Sequence, residues 1–225
     1  VDTEIVRKAP LFAALDHEAA AALMGSMTSS RLERGDVLFR EGDQGNRLYV
    51  IAEGKIKLGV TSVDGRENLL AILGPGEMFG ELSLFDPGPR TATATAVAET
   101  QLIELGNDDL SSFLSGRPAV AKSMLAALAR RLRRTNDSLA DLVFTDVPGR
   151  VAKALLDLSN RFGRPAGDGI RVAHDLTQEE LAQLVGASRE TVNKALADFA
   201  SRGWIKLEAR AVVLTDVERI RGRAR

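Results

Sequence analysis

The chain has 225 residues, 44% of them hydrophobic, with 30 Lys and Arg against 31 Asp and Glu for a net charge of −1; it is long enough for two domains that each bury a core. With no cysteine and only two histidines, His17 and His174, it has no means to form disulfides, iron–sulfur clusters or thiolate zinc sites, and metal chemistry is left few ligands. No run of about 18 apolar residues occurs, and Val1 to Pro10 mixes Asp2, Glu4, Arg7 and Lys8 with apolar residues, so neither a membrane span nor a signal peptide is expected and the cytoplasm is the expected location.

Residues 1–30 read as short helices, with Asp16 able to cap a run whose apolar positions Leu11, Phe12, Leu15, Leu23 and Met24 fit one buried face. From Arg34 the texture changes. Gly35-Asp36, Glu41 to Asp43, Glu53-Gly54, Asp64-Gly65 and Gly74 to Gly76 punctuate short alternating runs such as Val37-x-Phe39, Leu48 to Ile51 and Ile56-x-Leu58-x-Val60. Short strands at roughly ten-residue spacing with turn residues between them indicate a barrel or sandwich.

From Ala119 to Phe144 neither Gly nor Pro interrupts a helical pattern, and Ala121, Leu125, Leu128, Leu132, Thr135, Leu139 and Leu142 follow alternating steps of four and three. That spacing is the seam of a two-stranded coiled coil, which predicts a dimer; a helix packed on its own domain is the alternative. Asp146-Val147-Pro148-Gly149 then breaks the helix and marks a hinge. Beyond it an amphipathic helix is expected over 151–162 and a polar loop over 163–169. Thr177 with Glu180 has the form of a capping box, Gly186 suits a turn between helices, Ser188 suits a second cap, and Val192, Leu196 and Phe199 give the second helix a buried side. Trp204 to Leu207 and Ala211 to Leu214 read as the hairpin of a winged helix-turn-helix. The near-neutral total also hides an asymmetry: residues 146–225 hold 14 basic against 11 acidic side chains, and residues 1–145 hold 16 against 20. The C-terminal part is therefore the one suited to phosphates.

Two segments carry a family resemblance. Phe79 to Ala94, with Gly80-Glu81-Leu82 and Arg90-Thr91, resembles the phosphate-binding cassette of cyclic-nucleotide-binding domains. Val185 to Val192, with Ser188-Arg189-Glu190, resembles the recognition helix of the cyclic-AMP receptor protein and FNR superfamily of bacterial regulators. In this order, joined by a long helix, they span nearly the whole chain, and Ala129 to Asn136 with Thr177 to Lys194 is most similar to the actinobacterial branch. The resemblance implies an α+β chain: a jelly-roll-like β-roll binding a cyclic nucleotide over 1–118, a dimerisation helix over 119–145, and a winged helix-turn-helix over 146–225. It also implies a homodimer, double-stranded DNA and RNA polymerase as partners, and no enzymatic activity.

Each part of a cyclic nucleotide needs its own chemistry. Arg90 can fork two donors onto phosphate oxygens, Thr91 can add a hydroxyl, and Gly80 and Leu82 can present backbone N–H groups. Glu81 would accept from the ribose hydroxyl; its alternative is an ordinary salt bridge with Arg90. By resemblance, Thr135 contacts the base, Asn136 stands where a partner subunit's side chain contributes, and Arg131 lines the pocket. Cyclic AMP is the expected effector; threonine after the cassette arginine also occurs in some cyclic-GMP-binding domains, which leaves cyclic GMP open. On the reading helix Arg189 can read guanine, Glu190 can accept from cytosine, Lys194 can reach a second guanine or a phosphate, and Thr177 and Ser188 suit phosphates. The alternative for Arg189 and Glu190 is an exposed charge pair. On the same scaffold a haem-based sensor or a vestigial pocket are the rival readings, and no nucleophile–base constellation supports an enzyme.

Overall fold

Leu48, Tyr49, Val50, Ile51 and Ala52 are all buried, so the strand that carries them has a core on each face. The computed structural model describes residues 9, 15, 20, 23, 25–65, 67–86, 88–115, 117–167 and 169–224. The chain divides into two compact units, Val1–Val60 with Leu70–Arg133, and Thr61–Leu69 with Arg134–Arg225.

The strands β1 (Thr28–Leu32), β2 (Val37–Phe39), β3 (Arg47–Glu53), β4 (Ile56–Thr61), β5 (Glu67–Leu73), β6 (Met78–Phe79), β7 (Thr93–Ala96) and β8 (Thr100–Gly106) form two four-stranded sheets, ordered β1-β8-β3-β6 and β2-β7-β4-β5. Tyr49 and Ile51 of β3 meet Ile56, Leu58, Ala94 and Phe79 in a core shared by both sheets. Leu48, Val50 and Ala52 point the other way, into a second core with Ile103, Leu105 and the helical residues Leu110, Val120 and Met124. This is the sandwich expected from the strand spacing, with one correction. The run Leu48 to Ile51 is buried on both faces rather than alternating, because helices cover the outer side of its sheet. Ser29 and Ser30 likewise lie in β1 instead of a helix. The expected cap Asp16, with Leu11, Phe12, His17 and Met24, lies outside the described residues.

A four-residue helix α1 (Leu82–Phe85) follows β6, and α2 (Asn107–Leu114) follows β8. The helix α3 (Pro118–Phe144) has 27 residues, a length of about 40 Å. It buries Val120 and Met124, while Leu125, Leu132 and Leu139 are 65%, 62% and 58% exposed.

In the second unit, α4 (Val147–Phe162) begins four residues earlier than expected. Asp146 caps it by accepting from the Gly149 N–H at 3.0 Å, and Pro148 falls in the first turn, where its missing N–H costs nothing. The chain does break before Val147, but Pro148 starts a helix there instead of standing outside one. The expected loop over 163–169 also differs: β9 (Gly163–Ala166) and β10 (Gly169–Ala173) join β11 (Ile205–Glu208) and β12 (Ala211–Leu214) in one sheet, ordered β11-β12-β10-β9. Pro165 is tolerated because β9 is an edge strand. Between the two hairpins lie α5 (Gln178–Val185) and α6 (Arg189–Ser201), followed after β12 by α7 (Val217–Arg223), which packs on α4 and was not apparent in the sequence.

One side chain fastens this unit together. Arg150 donates from Nη1 to the Thr145 carbonyl at 2.8 Å, from Nε to the Val185 carbonyl at 3.0 Å and from Nη2 to the Gly186 carbonyl at 3.1 Å. It thereby joins the residue after α3 to the turn between α5 and α6. Lys153 pairs with Asp141, and Arg223 pairs with Asp146 at 2.6 Å, on the same junction. Gly186 closes α5 at φ +68°, and a Cβ there would lie 2.7 Å from Leu142 Cδ2. Gly186→Ala is expected to lower the unfolding free energy by about 1–2 kcal/mol from the left-handed backbone alone, read as a lower urea midpoint; an unchanged midpoint would mean that the turn is not held in this conformation.

Candidate functional site

The segment from β6 to β7 wraps a single guanidinium. Arg90 is 5% exposed, and it donates from Nη1 to the Gly80 carbonyl at 2.8 Å and from Nη2 to the Arg47 carbonyl at 2.9 Å. Its Nε is buried and has no hydrogen-bond partner. Among the described residues no carboxylate lies within ion-pair distance of it. Burial pulls its pKa below the ordinary arginine value, opposed by the nearby Tyr49, Glu81 and Asp43, and the group stays cationic. Gly80, at φ +80°, makes the close approach workable: a Cβ there would sit 2.8 Å from Arg90 Nη1 and 2.9 Å from the Arg47 carbonyl oxygen.

Glu81 is 1% exposed, and its Oε1 accepts from Arg131 Nη1 at 3.0 Å while its Oε2 is buried without a partner. The acid and the cassette arginine therefore do not pair with each other. Arg131 of α3 neutralises Glu81, and the Arg90 charge is left for something else. The structure thus brings Gly80, Glu81, Arg90 and Arg131 together. Leu82 and Thr91 are exposed beside them in the chain, and Thr135 and Asn136 are exposed on α3 in the other unit.

Four neighbours of Arg90 escape a reading of the sequence. Phe39 lies beneath the guanidinium, with Cζ 4.3 Å from the ring centroid, and the Tyr49 ring is 5.7 Å away. Gly45 has Ser83 Oγ within 2.6 Å and Arg90 Nε within 2.7 Å of where a Cβ would stand, so only a glycine lets the buried Ser83 and the unpaired Nε pack this close to the backbone. Phe39, Gly45 and Tyr49 come from β2 to β3, and in the sequence the aromatic pair reads only as core.

In the second unit, Thr177 caps α5: its Oγ1 accepts from the Glu180 N–H at 3.1 Å, and Glu180 Oε2 accepts from the Thr177 N–H at 2.7 Å. Ser188 caps α6 by accepting from the Thr191 N–H at 3.2 Å. Val192, Leu196 and Phe199 bury the inner side of α6, and Phe199 stacks on Trp204 at 5.5 Å. Arg189, Glu190 and Lys194 are exposed on the outer side. Glu190 faces Lys194 at 3.7 Å, an open surface pair, rather than Arg189. His174 is buried, and its Nδ1 accepts from the Leu176 N–H at 3.1 Å, the arrangement of a core histidine. Among the described residues no group of three or more His, Cys, Asp or Glu could hold a metal ion, and no helix is long and apolar enough to cross a membrane.

Comparison with known proteins agrees with this geometry at both ends. Residues 29–117 match the cyclic nucleotide-binding domain family, and residues 149–223 match the Crp-like helix-turn-helix domain family. The chain is 56% identical over 222 residues, 99% of each protein, to the CRP-like cAMP-activated global transcriptional regulator of Mycobacterium tuberculosis. It is 38% identical to the cyclic AMP receptor protein of Thermus thermophilus over 90% of each chain. The crystal structure of the Thermus thermophilus catabolite activator protein resembles it with a TM-score of 0.55 at 36% identity, covering 96% of this chain and 98% of that one.

The Glu81–Arg131 pair can be tested without any ligand. Arg131→Ala leaves a buried carboxylate without its cation and is expected to destabilise the protein by about 1–3 kcal/mol, and Glu81→Gln in the same protein should recover part of that loss. Urea unfolding of the single and double variants measures both; no loss in Arg131→Ala would mean that the pair does not form in solution.

Proposed function

The chain belongs to the CRP/FNR superfamily of transcription regulators, on its actinobacterial branch, and from that premise we propose that it is a homodimeric regulator whose DNA binding is controlled by cyclic AMP. It has a cyclic nucleotide-binding domain and a helix-turn-helix DNA-binding domain, and its relatives are transcription regulators rather than enzymes. The finer statements rest on one observation above all: Arg90 is a buried cation with two N–H groups committed to carbonyls and its Nε unpaired. A phosphate diester supplies the missing counter-charge.

In this reading the phosphate sits against Arg90, with the Gly80 and Leu82 backbone N–H groups and the Thr91 hydroxyl around it. The ribose hydroxyl shares Glu81 with Arg131. Thr135 and Asn136 reach the base, Asn136 from the second protomer, as the family resemblance implies. Cyclic AMP is preferred over cyclic GMP because the relatives at 56% and 38% identity carry the names of cyclic-AMP regulators.

The dimer is supported by the stripe Leu125, Leu132 and Leu139, exposed at seven-residue spacing on α3 with Leu142 at 49%. A second copy would cover it. The two reading helices would then approach a palindromic site, with RNA polymerase as the further partner. Arg189 reads guanine and Glu190 accepts from cytosine, Lys194 takes a second guanine or a phosphate, and Thr177 and Ser188 lie against phosphates.

Calorimetric titration of cyclic AMP and cyclic GMP tests the effector. Binding is expected for cyclic AMP, and Arg90→Leu should weaken it by about 1.5–3 kcal/mol, roughly 10- to 150-fold; full affinity in that variant would remove the phosphate from Arg90. Binding-site selection tests the reading helix. Glu190→Ala should relax preference at a single base pair by about 1–3 kcal/mol, measured at fixed salt because phosphate contacts dominate affinity. Equal weakening on every sequence would reassign Glu190 to a structural role.

A further inference from the structure

A guanidinium that must meet an anion needs a defined plane as well as a charge, and an arginine side chain has several rotatable bonds with which to lose it. In this protein carbonyls accept from Nη1 and Nη2 and hold one edge of the guanidinium. The remaining face is closed by Phe39. Its ring centroid is 4.3 Å from Arg90 Cζ, within the range in which the ring quadrupole attracts a cation.

The ring is itself held. It lies 5.9 Å from Tyr49 and 6.0 Å from Phe79, tilted by 35° and 37°, and those two rings stack on each other at 5.3 Å. The backbone contributes as well. The pairing of β2 with β7 shifts register between Val37 and Phe39, so that Phe39 stands opposite Ala94 while Val37 stands opposite Thr95. An irregularity of this kind re-aims the side chain next to it, and here that side chain is the one beneath Arg90.

We propose that Phe39 is a positioning residue for effector binding: its ring is the platform that fixes the plane of the Arg90 guanidinium for the incoming phosphate. The proposal rests on the reading of the cassette as the phosphate site. It assigns Phe39 no contact with the ligand. Its effect runs through Arg90, whose buried Nε packs so close to Gly45 that a Cβ there would stand only 2.7 Å away. An aliphatic residue of similar size would fill the same volume without attracting the cation.

Three variants decide it. Phe39→Leu is expected to weaken cyclic AMP binding about tenfold in calorimetry, and Phe39→Tyr, which keeps the ring, to stay within about twofold of the wild type. Loss of affinity in both variants alike, or in neither, would overturn the positioning role. In the ligand-free protein, Phe39→Leu and Arg90→Gln are combined in an unfolding cycle, where the double variant should lose less stability than the two single losses together. Additive losses would overturn the proposal, because a ring that merely fills the core does not respond to the charge of Arg90. If the wild-type protein binds neither cyclic AMP nor cyclic GMP, the effector reading fails, and the hold of Phe39 on Arg90 stands or falls by the unfolding cycle.

Discussion

A buried guanidinium that has no ion-pair partner among the described residues is the constraint around which the N-terminal unit is arranged. Removing such a charge from water costs several kcal/mol even after relaxation. The fold offsets part of that with two backbone carbonyls and an aromatic face, and it keeps the acid that could neutralise the site engaged elsewhere. Glu81 is only nine residues from Arg90 in the chain, yet its carboxylate pairs with Arg131 from the long helix. Had Glu81 closed on Arg90, the pocket would be electrically satisfied and an anion would have to break a buried ion pair to enter. Segregating the two charges leaves the cassette with an unmet positive field, and the left-handed Gly80, the close approach that Gly45 allows and the aromatic cluster all serve to bring that field to one point.

The second unit follows a different economy. The hydroxyls of Thr177 and Ser188 satisfy helix N-termini, and Leu181, Val192, Leu196 and Phe199 are spent on the core. On its exposed face α6 carries two open pairs, Glu190–Lys194, whose members are 84% and 80% exposed, and Asp198–Arg202. Open pairs of this kind are worth little. They can therefore be broken at small cost, and the charges of this face stay available to another partner.

What could be read from the sequence was local in origin. The caps Thr177 and Ser188, the turn at Gly186 and the buried side of α6 each depend on residues within about one helical turn of each other, and each is found where the spacing put it. Where long-range packing decides, the spacing failed. The strand β3 looked half-buried until helices were found over its outer face, Pro165 looked like a loop residue until its strand proved to be an edge, and α7 is too short to show a period. The candidate site divides in the same way. Gly80, Glu81 and Arg90 form one contiguous motif, whereas Phe39, Gly45 and Tyr49 reach Arg90 only through the pairing of distant strands.

The contacts of Arg150 have a consequence for how such a protein can change over time. All three of its acceptors, at Thr145, Val185 and Gly186, are main-chain carbonyls, which every amino acid possesses. The bond between the end of the long helix and the turn before the reading helix is thus indifferent to the identity of the residues it touches. Substitutions on the outer face of α6 can accumulate while the fastening between α3 and the turn before α6 stays intact. The exposed face of α6 and the fastening of the turn before it are in this sense separately inheritable, with one arginine holding the second constant as the first drifts.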